Sequence, residues 1–191
     1  MMGLAYLVFF AVYLLVSVAA VRGAIGYARK NGKSAKRWGW GAAFVMYNIA
    51  FWDFIPTVAV HQYYCAKDSG FWVYKTIDQW KAENPGVMET LTTQRVWRHD
   101  YANGGDVVHI NQRFDLMYYK KGEQFIYLWP DDRRLVDVKT GELIARLVDF
   151  NSYAPEWGGL KFWANIQHCS GGQENAIKFG NFYLQVKGES K

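Results

Sequence analysis

The chain has 191 residues, with 22 lysines and arginines against 17 acids, and it is rich in Trp, Tyr and Phe. The net charge of +5 is concentrated: residues 1–61 hold six basic residues and one acid, Asp53, whereas residues 62–191 balance sixteen against sixteen. A neutral downstream part lacks the basic footprint that a phosphate backbone requires, which excludes nucleic acid as a partner.

Met1 to Val21 carries no charged residue. A bilayer core is crossed by about 20 apolar residues in helical form, so a transmembrane helix is expected over about 3–27. Arg22, Arg29, Lys30, Lys33, Lys36 and Arg37 follow with no acid among them. Trp38 and Trp40 then open a second apolar run, expected as a helix over 38–60, that contains Asn48, Asp53 and Pro56. Basic loops stay on the cytoplasmic side, so these six residues orient a helical hairpin with both termini outside the cytoplasm. Ser17-Val18-Ala19-Ala20 offers small residues to a signal peptidase. A signal peptide has its basic stretch before the apolar core, however, and here it comes after, so a retained anchor is expected. Pro56 removes a backbone donor and clashes with the preceding turn, which predicts a kink or an ending near Trp52–Ile55.

Residues 62–191 are enough for one small domain. Residues 71–75 read as a strand, and Thr76 with Gln79 three residues later has the form of a capping box opening a short helix that Pro85-Gly86 stops. The stretch from Val87 to Gly105 is ambiguous, and Asn103-Gly104-Gly105 reads as a turn. Residues 114–119 and 124–129 read as one hairpin, joined through Lys120-Lys121-Gly122-Glu123. Pro130-Asp131-Asp132 reads as a solvated turn, and residues 135–138 and 143–150 as a second hairpin through Thr140-Gly141-Glu142. Asn151 to Gly159 is expected as a loop, with further strands over 160–166 and 181–186 separated by Ser170-Gly171-Gly172.

Asp53-Phe54-Ile55-Pro56-Thr57, Tyr64-Cys65, Gly70-Phe71-Trp72-Val73-Tyr74-Lys75-Thr76 and Thr140-Gly141-Glu142 resemble small two-helix proteobacterial inner-membrane proteins of unassigned function. The resemblance spans most of the chain. It implies location and architecture, and carries no catalytic role.

Cys65 and Cys169 are the only cysteines, and both fall in the part expected outside the cytoplasm. An even count in an oxidising compartment favours a disulfide. Two separate buried thiols are the alternative. A metal site recruiting His61 and His168 lacks any close-spaced ligand pair, so no metal and no cofactor is expected. Asp53 is the sharpest candidate, because an ionisable group inside a membrane segment costs roughly 2.5–3.5 kcal/mol at the centre on insertion scales. It reads either as an acid at the outer surface bonded to Trp52 or Thr57, as a docking group for a partner together with Asn48, or as a proton-handling group. Small residues on both apolar runs, among them Ala20, Gly23, Gly39 and Gly41, suit close helix packing. His99-Asp100, His109 and His168 with Ser170 can be assembled into a triad on paper, but no nucleophile elbow, zinc-binding helix or phosphate loop accompanies them.

The expected fold is α+β, a transmembrane hairpin over 1–61 followed over 62–191 by a periplasmic domain with an antiparallel meander. The expected role is a non-catalytic accessory or assembly subunit of a bacterial inner-membrane complex, in contact with lipid and with other membrane or periplasmic proteins. The alternative is a membrane-tethered periplasmic enzyme or ligand-binding protein.

Overall fold

A computed structural model describes residues 2–93, 96–100, 105–119, 122, 126–154 and 161–187. Helix α1 (Met2–Lys30) meets no charge until its last third, and Leu7, Leu14 and Leu15 stay well exposed along it. Its segment Tyr6–Lys30 is long and apolar enough to cross a bilayer. The helix closes on Gly32, whose φ of +64° suits glycine, while Lys33 N–H returns to Ala28 C=O at 2.8 Å. Ser34 caps α2 (Ala35–Phe51), its hydroxyl accepting from Arg37 N–H. The two helices pack antiparallel. A Cβ at Gly39 would come within 3.0 Å of the Ile25 side chain, so that glycine permits the contact, and Tyr13 hydroxyl donates to Met46 C=O.

The run expected as one helix over 38–60 is two. Helix α2 stops at Phe51, α3 (Phe54–Asp68) begins after two intervening residues, and the pair is bent by 60°. Pro56 lies in the first turn of α3, where its missing N–H costs nothing, and it could not have bonded back to Trp52 in a continuous helix. Alone among the described helices, α1 passes as a membrane span; α2 and α3 pass only as a bent pair. The expected junction at 61–62 falls in the middle of α3, which packs on the sheet.

Six antiparallel strands follow, in the order β1 (Gly70–Val73), β6 (Glu142–Ser152), β5 (Leu128–Asp137), β4 (Phe114–Tyr119), β3 (Gly105–His109), β2 (Val96–Asp100). From β2 to β6 the sheet is a meander, and β1 returns to the open side of β6. Helices α4 (Ile77–Glu83) and α5 (Gly172–Lys187) complete the domain. The Thr76–Gln79 capping box forms as expected, each side chain meeting the other's backbone N–H. One sheet face carries Phe114, Leu116, Leu135, Ala145 and Leu147 against Ile77 and Trp80 of α4 and Phe179, Phe182 and Val186 of α5. Each leucine, isoleucine, valine or phenylalanine among them contributes about 1.5–3 kcal/mol on burial. Trp80 is pinned further, its indole N–H donating to Asp137 at 2.7 Å, where Arg113 also forms a buried ion pair at 2.6 Å. Burial alone would push the Asp137 carboxyl up; the Arg113 and Trp80 donors outweigh it and hold it below the ordinary carboxylate range.

Three expectations are corrected. Pro130-Asp131-Asp132 is not a turn but part of β5, which is ten residues long. Pro130 is tolerated because β4 reaches only as far as Asp132, so the proline ring sits on an overhang paired to β6 alone. Residues 160–166 give no strand among those described: Phe162–Ala164 is a 3₁₀ turn, and Ile166 makes one bridge to Ser152. Residues 181–186 lie inside α5, where burial at Phe179, Phe182 and Val186 follows helical rather than alternating spacing. Residues 124–125 of the expected strand, most of the Lys120–Glu123 and Asn103–Gly105 turns, and 155–159 of the expected loop lie outside the described residues.

Candidate functional site

Four residues at four-residue spacing form one face of α3: Asp53 just before its first turn, then Thr57, His61 and Cys65. Residues i and i+4 share a helix face, and this face is turned onto the sheet, with Asp53, Thr57 and His61 all within 1% of complete burial. The opposite side of the helix, with Ile55 and Tyr63, is exposed.

Each member of the stripe except Thr57 is tied to the domain. Asp53 caps nothing in its own helix. Its carboxylate accepts from Lys161 Nζ at 2.6 Å and from the Trp163 indole N–H at 3.1 Å. Lys161 Nζ also donates to Tyr127 hydroxyl at 2.9 Å. Burial pulls the Lys161 ammonium down, but the carboxylate and the phenol outweigh it and hold the group above its ordinary value. His61 Nε2 lies 3.1 Å from Phe150 C=O in β6. Cys65 is joined to Cys169, with the Cα atoms 5.3 Å apart and 104 positions between them in the chain. Thr57 Oγ1 and Ser152 Oγ are buried with no hydrogen-bond partner among the described residues.

Aromatic rings complete the junction. Trp163 lies 4.6 Å from Phe51 of α2 and 6.3 Å from Phe10 of α1, and Phe162 lies 5.8 Å from Phe10. The segment Lys161–Trp163 therefore touches all three N-terminal helices, with its charge on α3 and its rings on α1 and α2.

The carboxylate that the sequence offers for partner docking is thus engaged within its own chain. Asn48 lies one turn before the α2 C-terminus, and its side-chain amide donates back to Phe44 C=O at 2.8 Å. Lys33 of the basic connection sits over Tyr27 and Trp38, closing the turn between α1 and α2, and Arg22, Arg29, Lys30, Lys36 and Arg37 flank it on the two helices. His61, Cys65 and Cys169 bring their donor atoms within 4.8 Å of one another, but in the disulfide both sulfurs are spent.

The histidines that can be assembled into a triad on paper make separate contacts. His168, which follows β6 in the chain, has Nδ1 2.6 Å from Asp149 of β6, while His109 Nδ1 on β3 lies 2.7 Å from Asp115 on β4. Neither ring has a serine or thiol within hydrogen-bonding distance among the described residues. His99 and Asp100 pair in the β2 backbone with Asp106 and Gly105. The Asp149 carboxylate is a structural hub, accepting from the Phe150 and Cys169 N–H groups at 2.9 Å each.

Sequence reasoning missed Lys161, Trp163 and the His61 contact. A signal for the stripe itself was available, since Asp53, Thr57, His61 and Cys65 repeat every four residues in a largely apolar and aromatic run. Comparison with protein-family models, with curated proteins and with solved structures finds no match.

Proposed function

We propose that the chain is a non-catalytic, membrane-anchored accessory or assembly subunit of a bacterial inner-membrane complex, presenting its sheet domain to partners on the periplasmic side. In this reading α1 and α2 cross the bilayer as a hairpin, and α3 leaves the membrane at the 60° bend and lies beneath the domain. The observation that carries it is the α3 stripe. An ion pair, a buried histidine contact and a disulfide fix the domain to its anchor at three heights along one helix. A tethered enzyme that must search for substrate gains nothing from such fixation, whereas a subunit that holds a partner surface at a set height and angle requires it.

The positive-inside bias of the 22–37 connection sets the orientation. Alkaline phosphatase fused after Lys191 should be active, and a reporter that matures only in the cytoplasm should be dark there. The reverse pattern ends the reading. Within that topology, mild-detergent extraction should recover the chain in a stoichiometric complex; a chain that runs alone, at its own mass, in every detergent tried argues against a subunit.

A further inference from the structure

One side of the α1–α2 hairpin holds an apolar groove of about 510 Å³, and a single charged residue, Arg37, lines it. The groove follows α2 from Trp38 to Met46, about 12 Å of helix, close to the roughly 15 Å depth of one hydrocarbon leaflet. Its walls are apolar, and Arg37 stands at the end nearest the basic connection. The two glycines of α2 have separate roles. A Cβ at Gly39 would press on Ile25 of α1, whereas a Cβ at Gly41 would meet nothing within 4 Å. Gly39 therefore serves the contact between the helices, and Gly41 keeps the groove open.

The charge at the mouth is unanswered within the hairpin. Residues 1–52 contain no acid. The backbone N–H of Arg37 meets the Ser34 hydroxyl, but its guanidinium has no hydrogen-bond or carboxylate partner among the described residues. Lys33 brings a second cation to the same end, its Nζ 4.9 Å from the centre of the Trp38 ring that lines the groove. An apolar trough thus leads to two cations, with an amphipathic indole at the level where hydrocarbon gives way to headgroups.

We infer that this groove holds an anionic phospholipid of the adjoining leaflet. One acyl chain lies against Gly41, Val45 and Met46, and the phosphate meets Arg37 and Lys33. A guanidinium fork matches phosphate oxygens in geometry as well as charge, and an ammonium adds a movable donor. Basic pockets between helices on the cytoplasmic side suit anionic headgroups for this reason. A neighbouring transmembrane helix would have to bring its own acid to this level, whereas a phospholipid carries its anion at the head of its chain. The inference rests on α1 and α2 standing in a bilayer, and adds a lipid that the hairpin selects by charge.

The full chain in neutral detergent micelles is examined by native mass spectrometry with phosphatidylglycerol or phosphatidylcholine of identical acyl chains. Phosphatidylglycerol should be retained as a one-to-one adduct at severalfold lower concentration. Arg37→Gln with Lys33→Gln, both on exposed positions, should bring its retention down to that of phosphatidylcholine. Gly41→Leu fills the groove without touching Gly39 and should reduce retention of both lipids, with helix content unchanged by circular dichroism. Lipid retention in micelles needs neither the orientation nor the assembly partner, so this inference and the subunit reading can fail separately. Equal retention of the two lipids by the unaltered chain overturns the inference, as does selectivity that survives the double substitution. If Gly41→Leu releases a protein partner and leaves lipid retention intact, a helix fills the groove and the inference is likewise overturned.

Discussion

Replacing Asp53 by Asn keeps its shape but removes the carboxylate that pairs with the Lys161 ammonium, whose side chain is only 10% exposed. Breaking a buried pair from one side typically costs about 3–5 kcal/mol, whereas replacing both partners by apolar residues of similar volume is often close to neutral. Thermal unfolding of the full chain in micelles should therefore show a large loss for Asp53→Asn, and a recovery of most of it in Asp53→Leu with Lys161→Met. Additive losses in the double variant would mean that the two groups do not act as a pair. The same residue shows what a sequence can reveal at this scale. An acid in an apolar run announces that it has a partner, because its burial cost must be offset. The identity of that partner is a tertiary fact: Lys161 lies 108 positions away in a segment whose local pattern says nothing about Asp53. Asp132 misled for a related reason, since a proline followed by two acids has the composition of a turn, and only the two arginines facing it make a strand position tolerable.

Among the elements, α3 depends most on one covalent bond. The Cys65–Cys169 link joins its last turns to the approach of α5 across 104 positions. In the chain-entropy model, closing a loop of that length is worth about 4–5 kcal/mol. Reduction, verified by alkylation of both thiols, should lower the unfolding temperature of the full chain markedly, and Cys65→Ser with Cys169→Ser should reproduce the shift. An unchanged midpoint in fully reduced protein would show that the ion pair and the His61 contact fix α3 unaided. Elements with local signals were legible. The capping box at Thr76, the strand at 114–119 and the Gly141 turn with φ of +72° all follow from residues close together in sequence. The second helix was legible as a bend at Pro56 but not as a change of direction by 60°, which the domain's grip on α3 decides. Residues 181–186, expected as a strand, have an alternating pattern at Phe182, Leu184 and Val186 that fits a strand locally; their helical face is set by the sheet, which takes Phe179, Phe182 and Val186.

For the molecule as a whole, carboxylates held by cations govern how the domain responds to acid. Asp132 and Asp137 both sit below the ordinary carboxylate range: burial pushes each up, and the hydrogen bonds from Arg146 and Arg134, or from Arg113 and Trp80, pull each further down. Such groups bind fewer protons in the folded than in the unfolded state over the interval between the two pKa values, so stability there rises with pH. The contribution is complete above the unfolded carboxylate value of about 3.9 and is lost as the pH falls below it toward the folded values. The two groups secure opposite faces of the sheet, Asp137 beneath α4 and Asp132 beside α3, so their protonation should loosen the domain on both sides. Urea unfolding of the full chain in micelles should show these carboxylates contributing no change in stability between pH 7 and 5. Below about pH 4 each should add up to about 1.4 kcal/mol of loss per pH unit. Arg134→Gln should shrink the acid-dependent part while Asp132 keeps its remaining partner. A stability curve that stays level down to pH 3 would show that neither carboxylate is held as the ion pairs imply.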